Sequence, residues 1–317
     1  SQDAGYPFAS VQLDSIVLSD NEIKATIDYN AGPLISFDSL HISGDASVKR
    51  AWLQAFLEIN PSNPYNQKKV NEINTKVDRL PFVNLKAPPK ITFQNEQATV
   101  YLNLEKVKSN QIDGIIGFLP NEKADGGTLI TGQFDMVLNN LFNSGKHIDV
   151  HWQSLKPKSQ LLEIAYMHPN LFHSPLNFSS SFYLLKEDST FINRKGRFEF
   201  QYAPSNHQIS FFTRLESSRI LLTDEEQQEV SRAAEISDFN IVYYGLGYRF
   251  QKISNTRVPK GFAAYAEAAI GNKSLRNLSE QQSESLKEKT TQYLFHSRAE
   301  WLRPVSKSLG FMLRAEG

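Results

Sequence analysis

A period of two dominates this chain. From about Gly132 onward, apolar residues fall on every second position of successive segments roughly ten residues long, with turn residues between the segments. Phe134, Met136 and Leu138 alternate with Asp135 and Val137. Ile148, Val150 and Trp152 alternate with His147, Asp149, His151 and Gln153, and Leu162, Ile164 and Tyr166 with Glu163 and Ala165. The rule continues through Phe198, Phe200 and Tyr202 against Arg197, Glu199 and Gln201, then through Val242, Tyr244, Leu246 and Tyr248. It runs on through Tyr293, Phe295 and Trp301, and ends with Phe311 and Leu313 beside Arg314. Successive side chains of a strand point to opposite faces, so each segment has one face suited to an apolar medium and one suited to water. About eleven such strands can be placed. Their length favours a transmembrane β-barrel over a soluble antiparallel sandwich, whose strands run nearer five or six residues.

Composition is compatible with that reading. A mean hydropathy of -0.41 and the lack of any run of about eighteen apolar residues exclude a helical membrane protein, whereas a barrel hides its lipid face in alternation. The 317 residues include no cysteine, which excludes disulfide and thiolate-metal chemistry, and 34 acidic against 34 basic residues leave no nucleic-acid footprint. Ser1-Gln2-Asp3 lacks the basic end and apolar stretch of a signal peptide, so a processed or internal start is expected.

If the first strand, about Ile112 to Pro120, runs outward, the connections at its far side are Asn121 to Gly127, Lys156 to Ser159, Glu187 to Thr190, Thr223 to Asp238 and Lys273 to Thr290. The opposite set, near Asn143 to Lys146, Pro169 to Pro175, Pro204 to His207, Ser254 to Lys260 and Val305 to Ser308, is shorter and rich in Pro, Ser and Asn. Short turns on one side and longer loops on the other match an outer-membrane barrel. Asp224 to Ala234 is a candidate loop helix; its acids Asp224, Glu225, Glu226 and Glu229 lack calcium-loop spacing and read as a solvated face.

The first third is built differently. Leu34, Phe37, Leu40 and Ile42 open a strand that closes at Gly44-Asp45. A first helix is expected after Ser47 as N-cap, with Val48, Trp52, Phe56 and Ile59 on one face. A second takes Asn66 as cap, aligns Val70, Ile73, Val77 and Leu80, and stops at Pro81. Phe82 to Phe93 and Gln97 to Val107 then pair as a hairpin across Gln94 to Glu96, the last strand burying Ala98, Val100, Leu102 and Leu104. Pro88-Pro89 cannot donate to a ladder, which predicts an edge strand with a bulge. Beyond the prolines, Lys90, Ile91, Thr92 and Phe93 offer an edge to which an extended segment could add by main-chain pairing, or one that the prolines merely blunt. Residues 1 to 31 read as the back half of a second copy of this unit, Gly5-Tyr6-Pro7-Phe8-Ala9 matching Leu80-Pro81-Phe82-Val83, with a turn at Asp20-Asn21.

The β-α-α-β-β unit with Gly32-Pro33-Leu34 before it, Ile42-Ser43-Gly44 at its first strand end and Arg79-Leu80-Pro81-Phe82-Val83 before its second strand resembles a POTRA (polypeptide-transport-associated) domain. Followed by Asp113-Gly114-Ile115-Ile116-Gly117-Phe118, it resembles the BamA/TamA superfamily of outer-membrane assembly and translocation proteins, a POTRA domain joined to a surface-antigen-type barrel. Pro169-Asn170-Leu171-Phe172-His173-Ser174-Pro175 is similar to members from the Bacteroidetes lineage. The resemblance implies an α+β POTRA domain at 32–110 after the C-terminal half of another at 1–31, then an antiparallel transmembrane β-barrel from 111 to 317. Barrels of this superfamily have about sixteen strands. With about eleven placed, and without the inward loop and its Arg-Gly-Phe or Arg-Gly-Tyr tip, the expected barrel is incomplete and the chain reads as part of a longer one.

The implied partners are unfolded outer-membrane or exported protein clients, the lipid bilayer and accessory assembly lipoproteins, with POTRA domains in the periplasm. The implied client-binding residues are Lys90, Ile91, Thr92 and Phe93, and the implied lateral gate is Asp113, Gly114, Ile115, Ile116, Gly117 and Phe118, a strand weakened by its glycines. A two-partner-secretion transporter, or the barrel of a POTRA-barrel esterase fusion, would carry the same modules. No enzyme motif is present: no Gly-x-Ser-x-Gly, no P-loop and no His-Glu-x-x-His. On a strand, His147 and His151 lie about 13 Å apart at ~3.3 Å per residue and read as lumen residues rather than metal ligands. Gly245-x-Gly247 has no helix after it and is not a nucleotide loop. No metal, cofactor or nucleic acid is expected.

Overall fold

The computed structural model describes residues 1–19, 22–120, 128–156, 159–187, 191–204, 206–221, 238–254, 258–276 and 287–317. The chain divides into two units, Ser1–Lys108 and Ser109–Gly317.

The first unit opens with β1 (Ser10–Ser19) and β2 (Glu22–Asn30), an antiparallel pair kinked by a bulge between Asp14 and Val17; the expected turn at Asp20-Asn21 lies outside the described residues. Next come β3 (Ser36–Gly44), α1 (Arg50–Leu57), α2 (Gln67–Asn71), α3 (Ile73–Val77), β4 (Val83–Leu85), β5 (Lys90–Gln94) and β6 (Gln97–Lys106). β6 is central: β3 runs parallel to it on one side, and β4 and β5 run antiparallel along the other. Parallel neighbours need a crossover, which the helices supply, packing Leu53, Leu57, Ile73 and Val77 onto Phe37, Leu40, Val100 and Leu102. Gly44 ends β3 at φ 102, where a Cβ would run into the Leu104 carbonyl.

Three local expectations change. Ser47 does not cap the first helix. Asp45 and Ala46 donate backbone bonds to Leu104 O at 3.2 and 3.4 Å, which keep the chain tied to β6, and α1 starts only after Lys49, with no side-chain cap. The second helix does begin at Asn66, whose Oδ1 accepts from Lys69 N at 2.9 Å, but it breaks into α2 and α3 around Glu72. The strand carrying Pro88-Pro89 splits into β4 and β5, because two consecutive residues without N–H cannot continue the ladder.

Among the described residues, the second unit is a meander of eleven antiparallel strands, each paired with its sequence neighbours. They are β7 (Gln111–Pro120), β8 (Thr128–Leu141), β9 (Lys146–Ser154), β10 (Gln160–Leu171), β11 (Leu176–Glu187), β12 (Phe191–Tyr202), β13 (His207–Ile220), β14 (Asp238–Ile253), β15 (Gly261–Arg276), β16 (Lys289–Pro304) and β17 (Gly310–Glu316). β14, β15 and β16 are 16 residues each, longer than the roughly ten expected, so Lys273 to Arg276 belong to a strand and not to a loop. Most of the far-side connections lie outside the described residues, as does Asp224 to Ala234.

Register joins the alternating sets into continuous faces: Phe134, Trp152 and Leu162 are direct neighbours, as are Met136, Val150 and Ile164. The apolar face is the open one. Tyr293 is 81% exposed, Phe295 70% and Leu246 63%, while on the opposite face Glu199 is 8% exposed and Glu267 6%. A sandwich would cover the apolar face with a second sheet; here the polar face is the one closed in. The first unit has the reverse arrangement, with its apolar residues at the centre.

Candidate functional site

Two strand edges and one polar network stand out. β5 pairs only with β6, through Lys90↔Tyr101, Ile91↔Val100, Thr92↔Thr99 and Phe93↔Ala98, so among the described residues its outer edge has no strand partner. The four side chains differ in freedom. Ile91 packs on the core, and the Phe93 ring meets Phe8 at 5.0 Å and Tyr65 at 5.3 Å, both edge-on, which leaves Lys90 and Thr92 on the other face. Tyr65 in turn donates to Gln67 Oε1 at 2.6 Å, and burial, helped by Asp3, pushes its hydroxyl pKa up.

β7 is an edge of the large sheet and β17 the other; they pair with β8 and β16 respectively and not with each other. β7 is held by ten consecutive residue pairs, from Gln111↔Val137 to Pro120↔Thr128. Ile112, Ile116 and Phe118 share the face of Phe134 and Met136, while Asp113, Ile115 and Gly117 take the polar face. Gly114 and Gly117 present no side chain, so this edge is less cross-braced than the aromatic strands beside it.

The polar network escaped the sequence reading. Arg197 on β12 lies 3.7 Å above the Phe212 ring of β13, donates through Nε to Glu199 at 2.9 Å and through a terminal nitrogen to Glu267 on β15 at 2.9 Å. Glu267 also accepts from Tyr265 Oη. β12 and β15 are three strands apart, about 14 Å across a flat sheet at ~4.8 Å per strand, so a direct ion pair requires the sheet to curl toward its polar face. Two glycines of β14 make room: Gly245 lies under the Phe212 ring, and Gly247 lies between Ser210 and Glu267 in the register. Along the same face Arg298 and His296 pair with Glu316, and Arg314 with Glu300. The sequence signal for the curl is the Gly245-x-Gly247 pair, which does sit inside a strand as expected.

His147 and His151 also separate as expected, bonding Asn139 at 2.8 Å and Asp135 at 2.5 Å respectively. No group of metal-binding side chains forms among the described residues.

A second unforeseen feature is a repeated turn. Asn140-Leu141-Phe142-Asn143-Ser144 and Asn170-Leu171-Phe172-His173-Ser174 link successive hairpins with the same hydrogen bonds, from residue four to the first carbonyl (2.9 and 3.1 Å) and from the serine hydroxyl to the leucine carbonyl (3.0 and 2.7 Å). In each, the asparagine, the phenylalanine and the residue after it are left-handed, with Phe142 at φ 56 and Phe172 at φ 53. Both phenylalanines are exposed tips.

No family model and no curated protein matches this chain. Among solved structures, CdiB from Acinetobacter baumannii superposes with a TM-score of 0.52 at 12% identity, over 99% of this chain and 56% of that one. This chain shares the fold of that part of CdiB. CdiB from Escherichia coli gives a TM-score of 0.49 at 13% identity, covering 99% of this chain and 58% of that one. BamA from Haemophilus ducreyi lacking POTRA domains 1-3 gives 0.46 at 11%, covering 96% and 59%. The chain thus spans less than three fifths of the length of each of these proteins. The eleven strands, with their open apolar face and curled polar one, lie within the part of the CdiB fold that this chain covers.

Proposed function

We propose that this chain belongs to an outer-membrane protein that assembles or exports other proteins, taking unfolded clients along the β5 edge of its POTRA-like unit and templating them at the β7 edge of its barrel. The observation that carries the reading is the inside-out burial of the second unit. Large aromatic residues stand exposed on one face while carboxylates are closed in on the other, which suits a wall between lipid and lumen and would leave a soluble protein with an apolar patch far beyond the usual few hundred Å². An edge strand in such a wall leaves backbone donors and acceptors without water, so it seeks a strand partner. A client strand satisfies that demand, and its own folding supplies the driving force with no nucleotide or cofactor. Unfolded outer-membrane or exported proteins are the clients, the bilayer is the medium, and accessory lipoproteins join in an assembly role; the POTRA-like unit lies in the periplasm.

Photo-crosslinking in cells, with the full-length parent carrying a reactive residue at Thr92 or at Ile116, tests this. Adducts to many barrel precursors at both positions are expected of an assembly factor. Adducts to one exported protein would assign dedicated secretion, and no protein adduct at either position would overturn the client reading.

A further inference from the structure

At the short-turn end of the second unit, the apolar face over β14, β15 and β16 carries an open cleft of about 800 Å³. Its floor is aromatic. Phe262 of β15 lies directly beside Trp301 of β16, and the Phe250 and Phe262 rings are 6.3 Å apart. Its rim is cationic: Lys252 stands opposite Phe262 in the register, Lys260 follows from the β14–β15 turn, and Arg303 lies 5.9 Å from the Trp301 ring. Ser254 and Lys260 exchange reciprocal bonds, from Ser254 N to Lys260 O at 2.8 Å and from Lys260 N to Ser254 Oγ at 3.2 Å, which fix Lys260 just before the start of β15. Among the described residues, no acidic side chain lines the cleft and none of the three cations makes an ion pair. This contrasts with the polar face, where Arg197, Arg214, Arg298 and Arg314 all have carboxylate partners.

Away from the rim, the same face changes relief. On β15, Ala264, Ala266 and Ala268 occupy consecutive same-face positions, with Ala299 and Ser297 beside them on β16 and the ridge of Tyr248 and Leu246 on β14. Small residues beside the Tyr248 and Leu246 ridge form a shallow track along the strand, about 13 Å from Ala264 to Ala268 at ~3.3 Å per residue. It starts at the aromatic floor and runs toward the centre of the face.

Cations over an aromatic ring, followed by a narrow apolar track, have the chemistry of a lipid: an anionic head at the interface and a chain in the hydrocarbon. We infer that this cleft binds the phosphate head of an anionic glycerophospholipid, with Lys252, Lys260 and Arg303 around the phosphate and one acyl chain along the alanine track. The inference rests on the reading of this face as lipid-facing. It adds a selective site to a surface that would otherwise treat all lipids alike. A lipid seated there would also span three strands and brace them from outside.

The test uses the full chain folded in neutral detergent and phospholipids brominated on the acyl chain, which quench tryptophan on contact. Trp152→Phe leaves Trp301 as the reporter at the cleft. Trp301→Phe leaves Trp152, on the same face at the opposite strand ends, as the control. Trp52 is buried in the first unit and contributes a constant background. Brominated phosphatidylglycerol is expected to quench Trp301 at about a hundredfold lower concentration than brominated phosphatidylcholine, since three cations at roughly fivefold each multiply to that order. The preference should vanish in the Lys252→Gln, Lys260→Gln, Arg303→Gln triple variant and be absent at Trp152. Equal quenching of Trp301 by both lipids would overturn the inference while leaving the face in lipid. A preference that survives the triple variant, or appears equally at Trp152, would also overturn it. No quenching by either lipid would remove the lipid-facing reading itself.

Discussion

Arg197→Leu offers a sharp test of the curled sheet. The guanidinium is bonded to two carboxylates whose side chains are only 10% and 7% exposed, and it stacks on a fully buried phenyl ring. Leucine would keep contact with Phe212 but leave Glu199 and Glu267 without their shared cation. Removing one partner of a closed-in pair costs ~3–5 kcal/mol. Arg298→Leu is the internal control, since Arg298 and Glu316 are 41% and 44% exposed, and a pair of that kind contributes ~0–1 kcal/mol. The full chain, folded in detergent and unfolded by urea under tryptophan fluorescence, should therefore lose at least ~2 kcal/mol more to Arg197→Leu than to Arg298→Leu. Arg197→Lys should fall between, keeping the charge but losing the fork that reaches both carboxylates. Equal losses for the two leucine variants would mean that the polar face is evenly bathed in water and that the three-strand ion pair does not brace a curled sheet.

Other consequences can be measured on the same protein. Gly245→Val should lower barrel stability by about 1–3 kcal/mol, because any Cβ there strikes the Phe212 ring and comes within 2.7 Å of the Ala269 methyl; an unchanged urea midpoint would sink the proposed aromatic-over-glycine stacking. Phe172→Gly should stabilise the folded chain by about 1 kcal/mol, since glycine relieves the left-handed strain at φ 53 and the exposed ring has little packing to lose; destabilisation would show that the ring is held by a contact. In the first unit, burial raises the Glu58 carboxyl pKa but Lys76 at 2.9 Å and Lys69 at 3.5 Å outweigh it, and the group ends below its ordinary value. A lowered folded pKa contributes stability that is present above the unfolded value near 4.5 and is lost as pH falls through the folded one. Thermal melts of the unit should thus soften in acid below that value, and Glu58→Gln should flatten the slope there.

Much of the architecture is written locally. Alternation alone located Phe134, Val150 and Ile164 on one face, because a strand has no way to turn consecutive side chains the same way. Asn66 and Pro88-Pro89 acted where they stand, through an acceptor for a free N–H and the loss of two donors. Ser47 is not the N-cap because the helix starts only after Lys49, while Asp45 and Ala46 just before Ser47 are tied to the distant Leu104 carbonyl. The proposed sites divide along the same line. The outer edge of β5 was legible from its prolines, but the clamping of Phe93 between Phe8 and Tyr65 joins residues dozens of positions apart.

The sequence by itself determined the strand period and the chemistry of each face, since these depend on neighbours one to four residues away. Tertiary structure decided which face is closed in, how the sheet curls, and which charges meet. Arg197 and Glu267 are seventy residues apart in sequence and are joined only because β13 and β14 fold between them with glycines where side chains would block the bond. Curvature of that kind is a property of four strands together, and no one of them encodes it.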